Sequence, residues 1–275
     1  MTKQRSNYKI SRRTFLKVCA AAAAAGITAC SGEQKAAALP TLTVGSDTYP
    51  PFIYLSNDGV PVGIDADIAA EAFARMGYSV RFETIDWEQK TDLVESGAID
   101  CIWGCFSIDG RKQLYRWAGP YMISRQVVAV SANSSIETLA DFAGKTILVQ
   151  STTKPEEILL GGTDPRIPQL GEVLSIEDRS VQYAMLNCGD VDAIAAHETA
   201  ILQYMQDCNA DLRILEEPLL VTGIGVAFAL NDTRRLEKQL DETFAAMRAD
   251  GTLEQIVGKY LPDPEKYLEV DALEP

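Results

Sequence analysis

Residues 98–121 read AIDCIWGCFSIDGRKQLYRWAGPY, and the rest of the chain can be placed around them. After the Gly97 turn, Ile99, Cys101, Ile102 and Trp103 are apolar or β-favouring, which predicts a strand over 98–103. The strand is expected to break at Gly104 into a small-residue loop, GCFSIDGR, that ends on Arg111. A buried strand running into such a loop makes a workable anion clamp. The guanidinium offers a planar fork of donors, and the loop adds free backbone N–H groups. A lone arginine is most often a solvated surface residue, so what flanks Arg111 decides its reading.

Upstream, strand and helix alternate. A strand over 41–45 ends in SDTYPPF, where Pro50-Pro51 stop it and leave Asp47 and Tyr49 at its carboxyl end. After a hairpin through Asn57-Asp58-Gly59, Ile68, Ala69, Ala72, Phe73 and Met76 share one face of a helix over 65–76, with Gly77 as its C′ residue. A strand over 78–85 leads to Asp86-Trp87, and a helix over 91–96 follows. This order predicts a parallel sheet flanked by helices, with a ligand crevice outside the strands' carboxyl ends. Tyr49, Trp87 and Trp103 stand at successive strand tips and read as a pocket wall.

Downstream the plan repeats. A strand over 127–130 and a short helix over 136–142 precede a strand over 146–150. The loop Ser151 to Pro155 opens a helix near Glu156, so its hydroxyls serve as caps, as anion ligands, or as both. A helix over 181–186 leads to a strand over 191–196 that ends on His197-Glu198-Thr199. Strands over 212–215 and 225–230 and helices over about 234–248 and 253–260 complete the chain. The expected fold is α/β: two Rossmann-like lobes joined by a two-crossing hinge. Lobe 1 takes residues 41–126 and 224–265, lobe 2 takes 127–223, and 266–275 form a C-terminal tail.

The 275 residues suffice for two domain-sized cores. The first 29 residues hold six Lys/Arg and no acid, so the remainder carries 19 bases against 39 acids, a net −20 within an overall −14. So acidic a chain repels nucleic acid and anionic membrane surfaces. The basic start, SRRTFLK (11–17), precedes a weakly apolar run over 18–27 and then ITAC (27–30). These resemble a twin-arginine export signal followed by a lipobox. They predict a signal over 1–29, lipidation of Cys30, and a tether over 30–40 that anchors the exported protein to the outer face of the cell membrane.

With these residues placed, the chain resembles the extracytoplasmic solute-binding proteins of polar amino-acid ABC importers, the family-3 type. The resemblance runs from about Leu42 to Leu261. It is carried by YPPF (49–52), GIDADI (63–68), DW (86–87), SGAID (96–100), PYM (120–122), DFAGKTILVQ (141–150) and RADGTLEQI (248–256). It implies a periplasmic-binding-protein type II fold whose lobes close on a free amino acid and hand it to permease subunits, with the binder a monomer. It also implies that Tyr49 and Trp87 stack on the ligand and that Arg111 holds the α-carboxylate, helped by groups around Gly104, Phe106 and Ser107. In lobe 2 it points to Gln150, Thr152 and Thr153, and to His197 or Glu198 as acceptor of the α-ammonium. The sequence departs from the family's pattern in three places. FSIDGR is one residue short between serine and arginine, Thr152-Thr153 replaces the usual Gly-Thr, and the usual aspartate is displaced toward His197-Glu198.

Of six cysteines, Cys101, Cys105, Cys188 and Cys208 remain once Cys19 leaves with the signal and Cys30 takes lipid. Export permits Cys101–Cys105 or Cys188–Cys208 disulfides, and four free thiols are the other outcome. One histidine and no ligand spacing argue against a metal, no P-loop is present, and no cofactor is expected. Arg111 is the one clear cation of the near wall, with Lys154 beside it, so a neutral or cationic amino acid is the expected ligand. Two other functions suit such a fold. Cyclohexadienyl dehydratases resemble these binders and use an acid in the cleft, which Glu198 beside His197 would supply. The third is a ligand-sensing lobe pair serving a separate signalling partner.

Overall fold

The computed structural model describes residues 38–273; the export signal and Cys30 lie outside the described residues. In chain order the elements are β1 (Thr41–Ser46), β2 (Tyr54–Leu55), β3 (Pro61–Val62), α1 (Ile64–Arg75), β4 (Ser79–Thr84), α2 (Lys90–Glu95), β5 (Cys101–Ser107) and β6 (Arg116–Ser131). Next come β7 (Thr146–Gln150), α3 (Lys154–Gly161), β8 (Glu172–Ile176), α4 (Ser180–Cys188), β9 (Ala193–His197), α5 (Glu198–Cys208) and β10 (Leu212–Ile214). β11 (Leu220–Phe228), α6 (Leu236–Ala249), α7 (Thr252–Val257) and α8 (Glu265–Leu268) close the chain.

The two α/β lobes share one nine-stranded sheet, ordered β4-β1-β5-β11-β6-β9-β7-β8 with β10 beside β6. β4, β1 and β5 pair in parallel, as do β9, β7 and β8. β11 runs antiparallel to both β5 and β6, and β6 antiparallel to β9. The sheet is therefore mixed, where the alternation of elements predicted a parallel one. The crossings between lobes are continuous strands. β6 pairs with β11 over Arg116 to Gln126, and from Gln126 onward it pairs with β9.

Strand parity builds the cores. In lobe 2, Val128, Val130, Ile147 and Val149 face one apolar cluster, while Val127, Ala129 and Leu148 face another. Both faces of the sheet are covered, which is why these strands read as apolar runs without alternation. In β5, Cys101, Trp103 and Cys105 face the cluster formed with α1 and α6, while Ile102 and Phe106 face Trp87 and Tyr115. α8 belongs to the first of these clusters through buried Tyr267, so the expected tail packs on lobe 1 at least as far as that helix. Four differences from the expected elements matter for the site. β5 runs unbroken to Ser107, β6 is 16 residues long, α3 begins at Lys154, and β8 had no counterpart in the sequence reading. All four remaining cysteines are free thiols.

Candidate functional site

The carboxyl ends of β1, β4, β5, β7, β8 and β9 converge where the lobes meet, around a narrow cavity. Lobe 1 contributes Tyr49 after β1, Trp87 after β4, and Gly104 to Ser107 at the end of β5, with Arg111 just beyond. Trp87 packs edge-on to Phe106, with ring centroids 5.4 Å apart. The Arg111 guanidinium lies 5.2 Å from the Phe106 ring and donates to the carbonyls of Ser107 (3.4 Å) and Thr152 (3.3 Å). Its side chain is only 11% exposed, and its nearest carboxylate is Glu157 at 3.8 Å. Burial lowers its pKa while Glu157 opposes the shift. Such an arginine is a weakly paired, desolvated fork, suited to a carboxylate entering the cavity.

Lobe 2 supplies the facing wall. Gln150, at the end of β7, donates to Asp47 Oδ2 (2.8 Å). Arg179, just after β8, donates to the same oxygen (3.0 Å) and also to Gln150 Oε1, and its guanidinium carbon lies 3.2 Å from the Tyr49 ring centroid. Thr152 sits at φ 59°, a left-handed conformation uncommon for a threonine. It presents its carbonyl to Arg111 and its hydroxyl to buried Lys90 Nζ (2.7 Å). Thr153 Oγ1 turns back to Gln150 O (2.6 Å), which holds the loop. Burial, helped by Arg111, lowers the pKa of Lys90 to about 8.

His197 ends β9. Its ring lies 2.7 Å from Ser124 Oγ through Nδ1 and 2.8 Å from Gln126 Nε2 through Nε2, and its backbone N–H donates to the Tyr49 hydroxyl (3.1 Å). With the amide donating to Nε2, the ring proton resides on Nδ1 and bonds Ser124. Burial, and then Arg179, lowers its pKa to about 3, so it is neutral at physiological pH. The cavity also carries buried polar atoms without partners among the described residues: Gln126 Oε1, Arg179 Nε, and both amide atoms of fully buried Gln182. Buried polar atoms are nearly always satisfied, so unpaired ones on residues that line a cavity are open to pairing by water or a bound solute.

Of the residues singled out in the sequence, Tyr49, Trp87, Gly104, Phe106, Ser107, Arg111, Gln150, Thr152, Thr153 and His197 line this cavity. Asp47 lines a larger neighbouring cavity and reaches this one through Gln150 and Arg179. Trp103 does not line it: strand parity turns its ring into the lobe 1 core, against Phe73, Tyr121 and Phe244. Glu198 does not line it either. As the first residue of α5 it turns away to pair with Arg125 at 2.6 Å. Lys90, Gln126, Arg179 and Gln182 escaped the sequence reading. The run VLSI (173–176) was the available sign of a strand that would place Arg179 at a tip. The neutral-or-cationic expectation rests on Arg111 as the near wall's one cation. Arg111 remains the near wall's cation in the lining; Lys154 and Arg179 add two from lobe 2, Lys90 stands behind the lining, and among the described residues no carboxylate stands in it.

Residues 42–263 match the family described as bacterial extracellular solute-binding proteins, family 3. The chain belongs to this family. Among its relatives, the L-cystine-binding protein TcyJ of Escherichia coli (strain K12) is 29% identical over 224 residues, covering 80% of this chain and 82% of the relative. The histidine-binding periplasmic protein of Salmonella typhimurium (strain LT2) is 28% identical over 235 residues, covering 82% and 89%. The solved structure of an ancestral arginine-binding protein bound to arginine superposes with a TM-score of 0.73 at 27% identity, covering 81% and 98%. The type II two-lobe architecture of this family-3 protein agrees with that neighbour.

Proposed function

We propose that this family-3 protein captures a free amino acid between its lobes outside the cell membrane and delivers it to the permease subunits of an ABC importer. The observation that carries this reading is Arg111: buried, backed by Phe106 and hydrogen-bonded across the cleft to Thr152 O. An α-carboxylate entering beside it would exchange weak carbonyl contacts for charge-assisted ones. The relatives' printed ligands, cystine, histidine and arginine, support an amino acid as the solute class.

The protein acts by binding, without turnover. Glu198, the acid a dehydratase-like reaction would call on, is held by Arg125 outside the lining. Calorimetry against the proteinogenic amino acids and cystine should find a solute bound at micromolar Kd or tighter, and incubation with prephenate or arogenate should give no phenylpyruvate or phenylalanine. Failure of every amino acid to bind, or turnover lost in Glu198→Gln, would reject the reading.

The motifs SRRTFLK and ITAC support export and anchoring through a lipid on Cys30. Intact-mass analysis of membrane-extracted protein should show an acylated chain beginning at Cys30. Recovery of the uncleaved chain from the cytosol would contradict this.

A further inference from the structure

The charge lining the cavity narrows the solute class within the amino-acid-binding reading. Arg111, Lys154 and Arg179 line it, and Lys90 stands directly behind Thr152, over the Trp87 and Phe106 rings. The acids nearby pair some of these cations. Asp47 Oδ2 accepts from Gln150 and Arg179, while its buried Oδ1 has no partner among the described residues. Glu157, 56% exposed, pairs with Lys154 at 2.7 Å and lies 3.8 Å from Arg111, and Glu156 accepts the Thr152 N–H (2.6 Å). Lys90 is buried and forms no ion pair among the described residues; it bonds only to Trp87 O and Thr152 Oγ1. His197, the lining residue at the expected ammonium-acceptor position, has both ring nitrogens engaged by Ser124 and Gln126 and is uncharged.

Two donors on the far wall are buried and unpartnered among the described residues: Arg179 Nε and Gln182 Nε2. Lys90, without an ion pair, and Arg111, 3.8 Å from its nearest carboxylate, are the weakly paired charges beside the cavity. Charges removed from water must be paired within the site, so a solute that brings negative charge is favoured. We propose that the solute carries two carboxylates, the first held by Arg111 and the second by the far wall at Arg179 and Gln182. Its amino group, where it has one, meets neutral oxygens such as Gln126 Oε1. Acidic amino acids, cystine and plain dicarboxylates share this chemistry.

The test is calorimetry on the mature protein at neutral pH with L-glutamate, L-aspartate, L-cystine and succinate against L-arginine, L-histidine and L-glutamine. A two-carboxylate solute should bind at least tenfold more tightly than any of the last three. Gln182→Leu should weaken that solute at least threefold, with ligand-free melts confirming the fold. Arginine, histidine or glutamine binding as tightly as the best two-carboxylate solute would overturn the inference while leaving the amino-acid reading intact. Succinate bound with every amino acid rejected would do the reverse, and no binding across the panel would overturn both.

Discussion

Asp65, 1% exposed at the start of α1, accepts the Tyr121 hydroxyl (2.6 Å) and the Cys105 N–H (2.7 Å) beneath the cavity floor. Burial raises its pKa to about 7 against the pull of those hydrogen bonds. The folded-state value lies above the unfolded one. Its contribution to stability is therefore fully present below about pH 4 and is lost as pH rises through about 7, up to about 4 kcal/mol across the window. The stability lead of wild type over Asp65→Asn should shrink between pH 4.5 and 7.5; melts offset equally at every pH would contradict this. Groups unchanged in both proteins, His197 among them, cancel in the comparison. The sequence could expose residues that stand at strand tips in recognisable runs, as Tyr49, Trp87, Arg111 and His197 do. It could not expose Lys90, which looks like an ordinary surface lysine at the start of a helix but is buried between the Trp87 and Phe106 rings of lobe 1 and Thr152 of lobe 2. Nor could it expose Gln182, whose isolation is a property of the assembled wall.

At the scale of elements, β5 carries the near wall. Gly104 was expected to end it, yet the strand continues because β11 pairs with it, Gly225 opposite Phe106 and Ile224 opposite Ser107. A partner more than a hundred residues downstream lies outside any local window, so the break was a reasonable inference from glycine alone. What glycine secures at this position is close approach. A Cβ there would collide with Ser46 Oγ and stand 3.6 Å from the Trp87 ring. Gly104→Ala should cost about 1–3 kcal/mol of stability and weaken solute binding, and Ser46→Ala in the same chain should recover part of the stability. An unchanged melt in the single variant would show that the strand tip tolerates the added methyl. The alternation of strands and helices gave away both α/β lobes, because their apolar runs and turn residues are local. β8 stayed hidden because EVLSI is short and half-exposed, and with it went Arg179, just past its end.

For the whole molecule, the proposed function makes lobe closure and solute binding one event. Lys90 and Arg111 reach Thr152 from lobe 1, while Arg179 and Gln150 reach Asp47 from lobe 2, so both lobes contribute to the polar seam around the cavity. β6 and β11 carry the connection as uninterrupted strands, which suits bending over a small number of residues better than hinging at a loose linker. A solute that binds this closed arrangement stabilises it by mass action, so its addition should raise the melting temperature with its concentration. Arg111 is the group proposed to hold the solute's carboxylate. Calorimetry of wild type, Arg111→Ala and Arg111→Lys with the tightest solute measures this, alongside ligand-free melts. Arg111→Ala should lose about 2–5 kcal/mol of binding, some thirtyfold to several thousandfold, because a desolvated carboxylate is left unpaired. Arg111→Lys should restore little of it, since an ammonium lacks the planar fork. An alanine variant that folds and binds within about fivefold of wild type would remove Arg111 from the site and contradict its role as the carboxylate clamp.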